Sequence, residues 1–228
     1  MKRLLSLFFI SVYSLGLFSC SKFNEISNQE SATAQEAQST SVSGMSTSSK
    51  SSLATSLSQS ADFKLYLNNL KKARDMAFTS VYSNSYIFQS DPVNSSFMQG
   101  VDTLSSNNVS GAKQALNSQF AKGDSIYIIM TQNVAVMSRI RQAFPQIFNA
   151  SSQDRDDIIT DAVHKVTTSN PNLVATTPCV QGCDNQYYIA AAVCTVFVET
   201  GPGAVICFLG ALGGLSACKT GCGTADNS

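Results

Sequence analysis

The chain has 228 residues, with 15 Lys and Arg against 15 Asp and Glu, so its formal net charge is zero. That balance, with only 13% of residues charged, excludes a basic nucleic-acid surface and an acidic tail. The length allows one modest domain with accessories.

The chain opens MKRLLSLFFISVYSLGLFSCSK. Lys2 and Arg3 form a charged n-region, and Leu4 to Leu17 an apolar h-region too short for an ordinary spanning helix. The segment ends Leu17-Phe18-Ser19-Cys20, which resembles a bacterial lipobox. The resemblance implies a signal peptide over residues 1–19, cleavage before Cys20 and lipidation of the Cys20 thiol. It places the protein in the bacterial cell envelope, held to a membrane through an N-terminal lipid on the outer-membrane, periplasmic or surface side. Residues 20–60 are rich in Ser, Thr, Gln and Ala. The run STSVSGMSTSSKSSLATSLSQS buries too little apolar surface to offset its ordering entropy, so a disordered tether is expected there.

Residues 61–172 read as a helical domain. Phe63, Leu67, Leu70, Ala77 and Val81 recur at helical spacing. Ser110 is the expected cap of a helix carrying Ala112, Leu116 and Phe120. Asp124 is the expected cap of the next, with Ile126, Met130, Val134, Met137 and Ile140 on one side and Pro145 ending it. Ser151 or Ser152 caps QDRDDIITDAVHKV, which Asn170-Pro171 closes. Its Asp154, Asp156, Asp157 and Asp161 suit the positive end of a helix and read as solvated charge, since the calcium-loop pattern is absent.

Residues 173–228 hold six of the seven cysteines, in the order C-x3-C-x10-C-x12-C-x10-C-x3-C. The spacing is a palindrome about Thr200 and Gly201, inside the turn signal ETGPG, and Pro202 suits the first turn of a following helix. At about 100° per residue, Cys179, Cys183 and Cys194 fall on one stripe of a helix, and Cys207, Cys218 and Cys222 repeat it in reverse. Two antiparallel helices would then face three aligned thiol pairs. Axes 8–10 Å apart put facing Cα atoms roughly 5 Å apart, inside the disulfide range. Six cysteines admit many pairings. The palindrome selects Cys179–Cys222, Cys183–Cys218 and Cys194–Cys207, and places Ala190 opposite Ala211 and Tyr187 opposite Gly214. Export makes such bridges persistent. The expected fold is all-α: a helical domain followed by a disulfide-laddered antiparallel helical hairpin.

The cysteines suit a metal poorly, because zinc sites favour C-x2-C spacing and the compartment oxidises thiols. A thioredoxin-like C-x-x-C beside a βαβ unit is absent. His164, the sole histidine, has no nucleophile or orienting group placed beside it by a motif, and no P-loop, G-x-G-x-x-G or G-x-S-x-G occurs. The expectation is a protein that is not an enzyme, with no catalytic residue, cofactor or metal and no nucleic-acid partner. Asp102-Thr103-Leu104 and Asp124-Ser125-Ile126 resemble the glycosylation acceptor tripeptide of some bacterial envelope proteins.

Two functional readings remain open. The Gly/Ala-rich apolar tail with Cys179, Cys183, Cys194, Cys207, Cys218, Cys222 and the GALGG run resembles halocin-type bacteriocin precursors over residues 177–224. The spaced C-x3-C pairs also resemble the α-hairpinin scaffold. The first resemblance implies a bacteriocin-like or toxin-like effector hairpin, acting on a target membrane or envelope protein. Cleavage in Thr168 to Pro178 would release it. The other reading is a non-catalytic structural or interaction lipoprotein whose hairpin is part of its core, packed against Phe63, Leu70, Ile129 or Met137.

Overall fold

A computed structural model describes residues 44–79, 108–175 and 177–225. The described residues fold as helices: α1 (Thr47–Gln59), α2 (Ala61–Thr79), α3 (Val109–Gln119), α4 (Gly123–Ala143), a one-turn α5 (Pro145–Phe148), α6 (Ser152–Ser169), a 3-10 turn (Pro171–Leu173), α7 (Pro178–Thr195) and α8 (Gly201–Ala225). The all-α expectation holds. The signal peptide, Cys20, Val81 and Asp102 lie outside the described residues.

The apolar stripes form the core. Phe63, Leu67, Leu70 and Ala77 of α2 are buried, as are Ala112, Leu116 and Phe120 around α3. On α4, Ile126, Met130, Met137 and Ile140 are buried, while Val134 is half-buried and Asn133 is almost fully enclosed. Asn133 is satisfied there: Asn69 Nδ2 donates to its Oδ1 at 2.9 Å, and its own Nδ2 reaches Tyr66 O at 3.4 Å. Ser151 caps α6, its hydroxyl accepting from Asp154 N at 3.1 Å.

Two expected caps move. Asn108, not Ser110, starts α3: its Oδ1 accepts from Gly111 N at 2.8 Å, leaving Ser110 inside the first turn. Asparagine and serine serve this role about equally well, so composition alone does not choose between them. Lys122 occupies the cap position of α4 without a side-chain bond, and Asp124 sits within the first turn, accepting from Asn117 Nδ2 at 3.1 Å. Its charge still suits the positive helix end there.

The tether expected over residues 20–60 is wrong for its last part. Residues 47–59 form α1, with Ser46 capping it and Ala54, Leu57 and Ser58 buried. This helix lies against α6. Met45 N donates to Asp154 Oδ2 at 3.0 Å, and Lys50 Nζ pairs with Asp154 at 3.2 Å and Asp157 at 2.8 Å. Asp154 is therefore not solvated helix charge but the anchor of α1. Docking overrides weak propensity, as tertiary packing commonly does.

The helices on either side of residue 173 pack together. Gly44–Ser228 is one compact unit, and the hairpin packs on α2, α3, α4 and α6.

Candidate functional site

The hairpin is the feature that the sequence singled out. Three bridges join its arms: Cys179–Cys222, Cys183–Cys218 and Cys194–Cys207, with Cα atoms 5.8, 5.6 and 5.5 Å apart. Nearly equal Cα spacing along three rungs is what two facing antiparallel helices require. Pro202 stands in the first turn of α8.

The residues between the rungs are arranged differently from the expectation. Tyr187 is buried, but Gly214 is exposed and a Cβ placed on it would touch nothing within 4 Å. Tyr187 instead turns onto α2, where its hydroxyl donates to Leu70 O at 3.0 Å. Ala190 is exposed although Ala211 is buried. The reason is geometric. A hairpin lying flat on a body has two contacts per helix, sideways to its partner and down to the body. On α7 the cysteines take the first. Asp184, Tyr187, Tyr188, Ala191, Ala192 and Thr195, centred about a third of a turn away, take the second.

That second stripe holds a buried charge cluster. Asp184, only 1% exposed, lies 3.1 Å from Arg74 Nη1 and 3.1 Å from Lys219 Nζ, and its Oδ2 accepts from Ala175 N at 2.8 Å. The Arg74 guanidinium stands 5.5 Å from the Tyr188 ring centroid and 6.0 Å from that of Tyr187. It also pairs with Asp75 and reaches Leu173 O, which accepts from the Tyr188 hydroxyl at 2.8 Å. Burial works against the Arg74 charge. Tyr188, Asp184, Asp75 and Tyr187 outweigh it and hold the guanidinium above its ordinary value. Burial likewise pushes the Tyr187 and Tyr188 hydroxyls well up, so both stay protonated donors. Two cations face two carboxylates here, so the cluster is neutral, and the enclosed Asp184 Oδ1 is held by ion pairing with Arg74 and Lys219 without a hydrogen bond of its own. It joins α2, α7, α8 and the 3-10 turn, and offers no open coordination or reactive position.

Other contacts hold the closed end of the hairpin. Tyr66 of α2 donates toward Thr195 Oγ1 at 2.9 Å, and Thr195 donates to Ala191 O at 2.6 Å. Arg141 of α4 donates to Val196 O at 2.6 Å and pairs with Glu199 at 3.2 Å. Arg155 of α6 lies 4.2 Å over the Phe197 ring. Burial lowers the Arg155 pKa and raises that of neighbouring Asp156. Of these features only the disulfide pairing had a signal in the sequence. Asp184 and Arg74 lie 110 positions apart with no motif linking them.

The middle of the segment expected to be cleaved, Leu173 to Ala175, is tied down. Leu173 and Val174 are buried, and Ala175 N is bonded to Asp184. His164 is exposed on α6. Among the described residues, no group of three or more His, Cys, Asp or Glu could hold a metal ion. Helix α8 is long and apolar enough to cross a membrane over Gly201–Lys219, and 67% of that window is buried inside the fold. No family model matches the chain, and no curated protein or solved structure matches it either.

Proposed function

We propose that this chain is a non-catalytic structural or interaction lipoprotein of the bacterial cell envelope, whose stapled hairpin is part of its core. One observation carries the choice over a releasable effector: the hairpin's inner face is built into the body. Tyr187 is bonded to Leu70 O, Tyr66 to Thr195, and Asp184 to Arg74. Releasing the hairpin would expose these tyrosines to water and strip α2 and α4 of the apolar surface they bury against it. Bridged cysteines support an oxidising compartment, and the lipobox resemblance at Cys20 supports attachment to a membrane.

The bacteriocin-like reading is the second one, favoured only by the apolar, cysteine-rich composition of residues 177–224. The test is non-reducing peptide mass mapping of the protein recovered from envelope and medium. Intact chain, lipidated at Cys20 and confined to the membrane fraction, supports the core reading. A stapled fragment of residues 170–228 free in the medium would sink it.

A further inference from the structure

The two outer rungs are neighbours. Cys183 Sγ and Cys222 Sγ, which belong to different bridges, are only 3.6 Å apart. Both are enclosed, with Cys183 at 1% and Cys222 at 5% exposure, whereas Cys179 is exposed. Cys179 also lies in the first turn of α7, just after Pro178. The positive end of a helix stabilises a thiolate there. The third rung stands apart, since Cys194 is eleven residues or about 16 Å along α7 from Cys183.

We propose that the outer rungs form a thiol–disulfide relay, in which a dithiol reductant acting at Cys179 moves the free thiol to Cys218 and leaves one diagonal bridge, Cys183–Cys222. The chemistry follows from access. A thiolate of the dithiol attacks Cys179 Sγ, on the most exposed residue of the two rungs. The Cys179–Cys222 bond breaks and its electron pair leaves on Cys222 Sγ. The second thiol of the reductant then attacks the mixed disulfide and departs as the oxidised disulfide. Cys179 is left as a thiol, and two electrons have entered the protein. The Cys222 thiolate faces Cys183 Sγ at contact distance, which replaces a bimolecular encounter with a local one. It attacks Cys183 Sγ, forms Cys183–Cys222 and expels Cys218 Sγ, which takes a proton. This last exchange is redox-neutral.

The experiment treats the oxidised full-length chain with one equivalent of dithiothreitol, alkylates free thiols, and digests with trypsin and an endoprotease cutting before aspartate. Cuts after Lys165 and Lys219 and before Asp184 separate residues 166–183, 184–219 and a fragment starting at Thr220. The expected product links 166–183 to the Thr220 fragment through Cys183, with Cys179 alkylated, and releases 184–219 alkylated at Cys218; the same linkage with Cys183 alkylated means direct reduction of the second rung and overturns the relay. A product that keeps 166–183 linked to 184–219, with Cys222 alkylated, overturns the relay. Cys179→Ser, checked for native helical content, gives an independent reading without reductant. Alkylation shared between Cys218 and Cys222 supports the relay, and alkylation confined to Cys222 overturns it.

Discussion

Asp184 shows how much one side chain can carry. It faces Arg74 and Lys219, with its carboxylate 2% exposed. Removing it takes away the buried partner of the Arg74 guanidinium, itself largely enclosed beside two tyrosine rings, and leaves it only the half-exposed Asp75 as counter-charge. Asp184→Ala is expected to lower stability by about 3–5 kcal/mol, read as a fall in the urea midpoint. Asp75→Ala, whose side chain is 45% exposed, should cost under about 1 kcal/mol. Equal losses for the two would argue against a buried anchor at Asp184. The cap of α3 gives a second comparison at this scale. Asn108→Ala should cost about 1 kcal/mol because Gly111 N loses its acceptor. Ser110→Ala, inside the first turn, should be close to neutral, and a reversed order would return the cap to Ser110.

At the scale of elements, α1 is the informative case. It is rich in serine and its apolar face is thin, so its structure depends on α6. Leu57→Ala is expected to cost about 2–5 kcal/mol, or to detach the helix while the rest stays folded. The charges at its start add a pH dependence. Met45 N, the Ser151 hydroxyl and Lys50 hold the Asp154 carboxyl below its ordinary value, against the opposing effect of burial. The bond to Lys50 depresses Asp157 as well. A depressed carboxyl stabilises the folded form above its unfolded-state pKa, and that contribution disappears as pH falls through the folded-state value. Bonds to Asp157 and Asp154 raise the Lys50 pKa, so its share is present below the ordinary lysine value and is lost as pH rises through the raised one. Amide exchange protection in residues 47–59 should therefore fall at both extremes, acid and strongly alkaline, before protection in α4 does. Loss in step with α4 would mean that α1 is not held by this cluster.

For the whole molecule, the bridges act on a nested chain. They span separations of 43, 35 and 13 residues. Closing a loop near the shortest of these is worth about 3 kcal/mol of unfolded-state entropy. Once one rung is closed, the others close only the short remainder. Removing a single rung by paired Cys→Ala substitution should thus lower the thermal midpoint modestly, and full reduction should lower it by more than the three single-rung losses together. Additive losses would show that the bridges act independently.

The cysteine palindrome by itself determined the pairing and the antiparallel hairpin, because equal spacing in reverse order admits one alignment of two facing helices. Helical spacing of Phe63, Leu67 and Leu70, or of Ala112, Leu116 and Phe120, was likewise enough to name core residues, since a helix must bury its apolar stripe. Three things depended on the tertiary structure. The helicity of residues 47–59 came from docking against α6, where Lys50 meets Asp154 and Asp157. The direction of Tyr187 came from where the body lies, since a helix in a hairpin has two contact sides and spacing does not rank them. The junction of Arg74 with Asp184 came from bringing α2 beneath α7. Local pattern sets which residues seek burial; only the assembled chain sets what they are buried against.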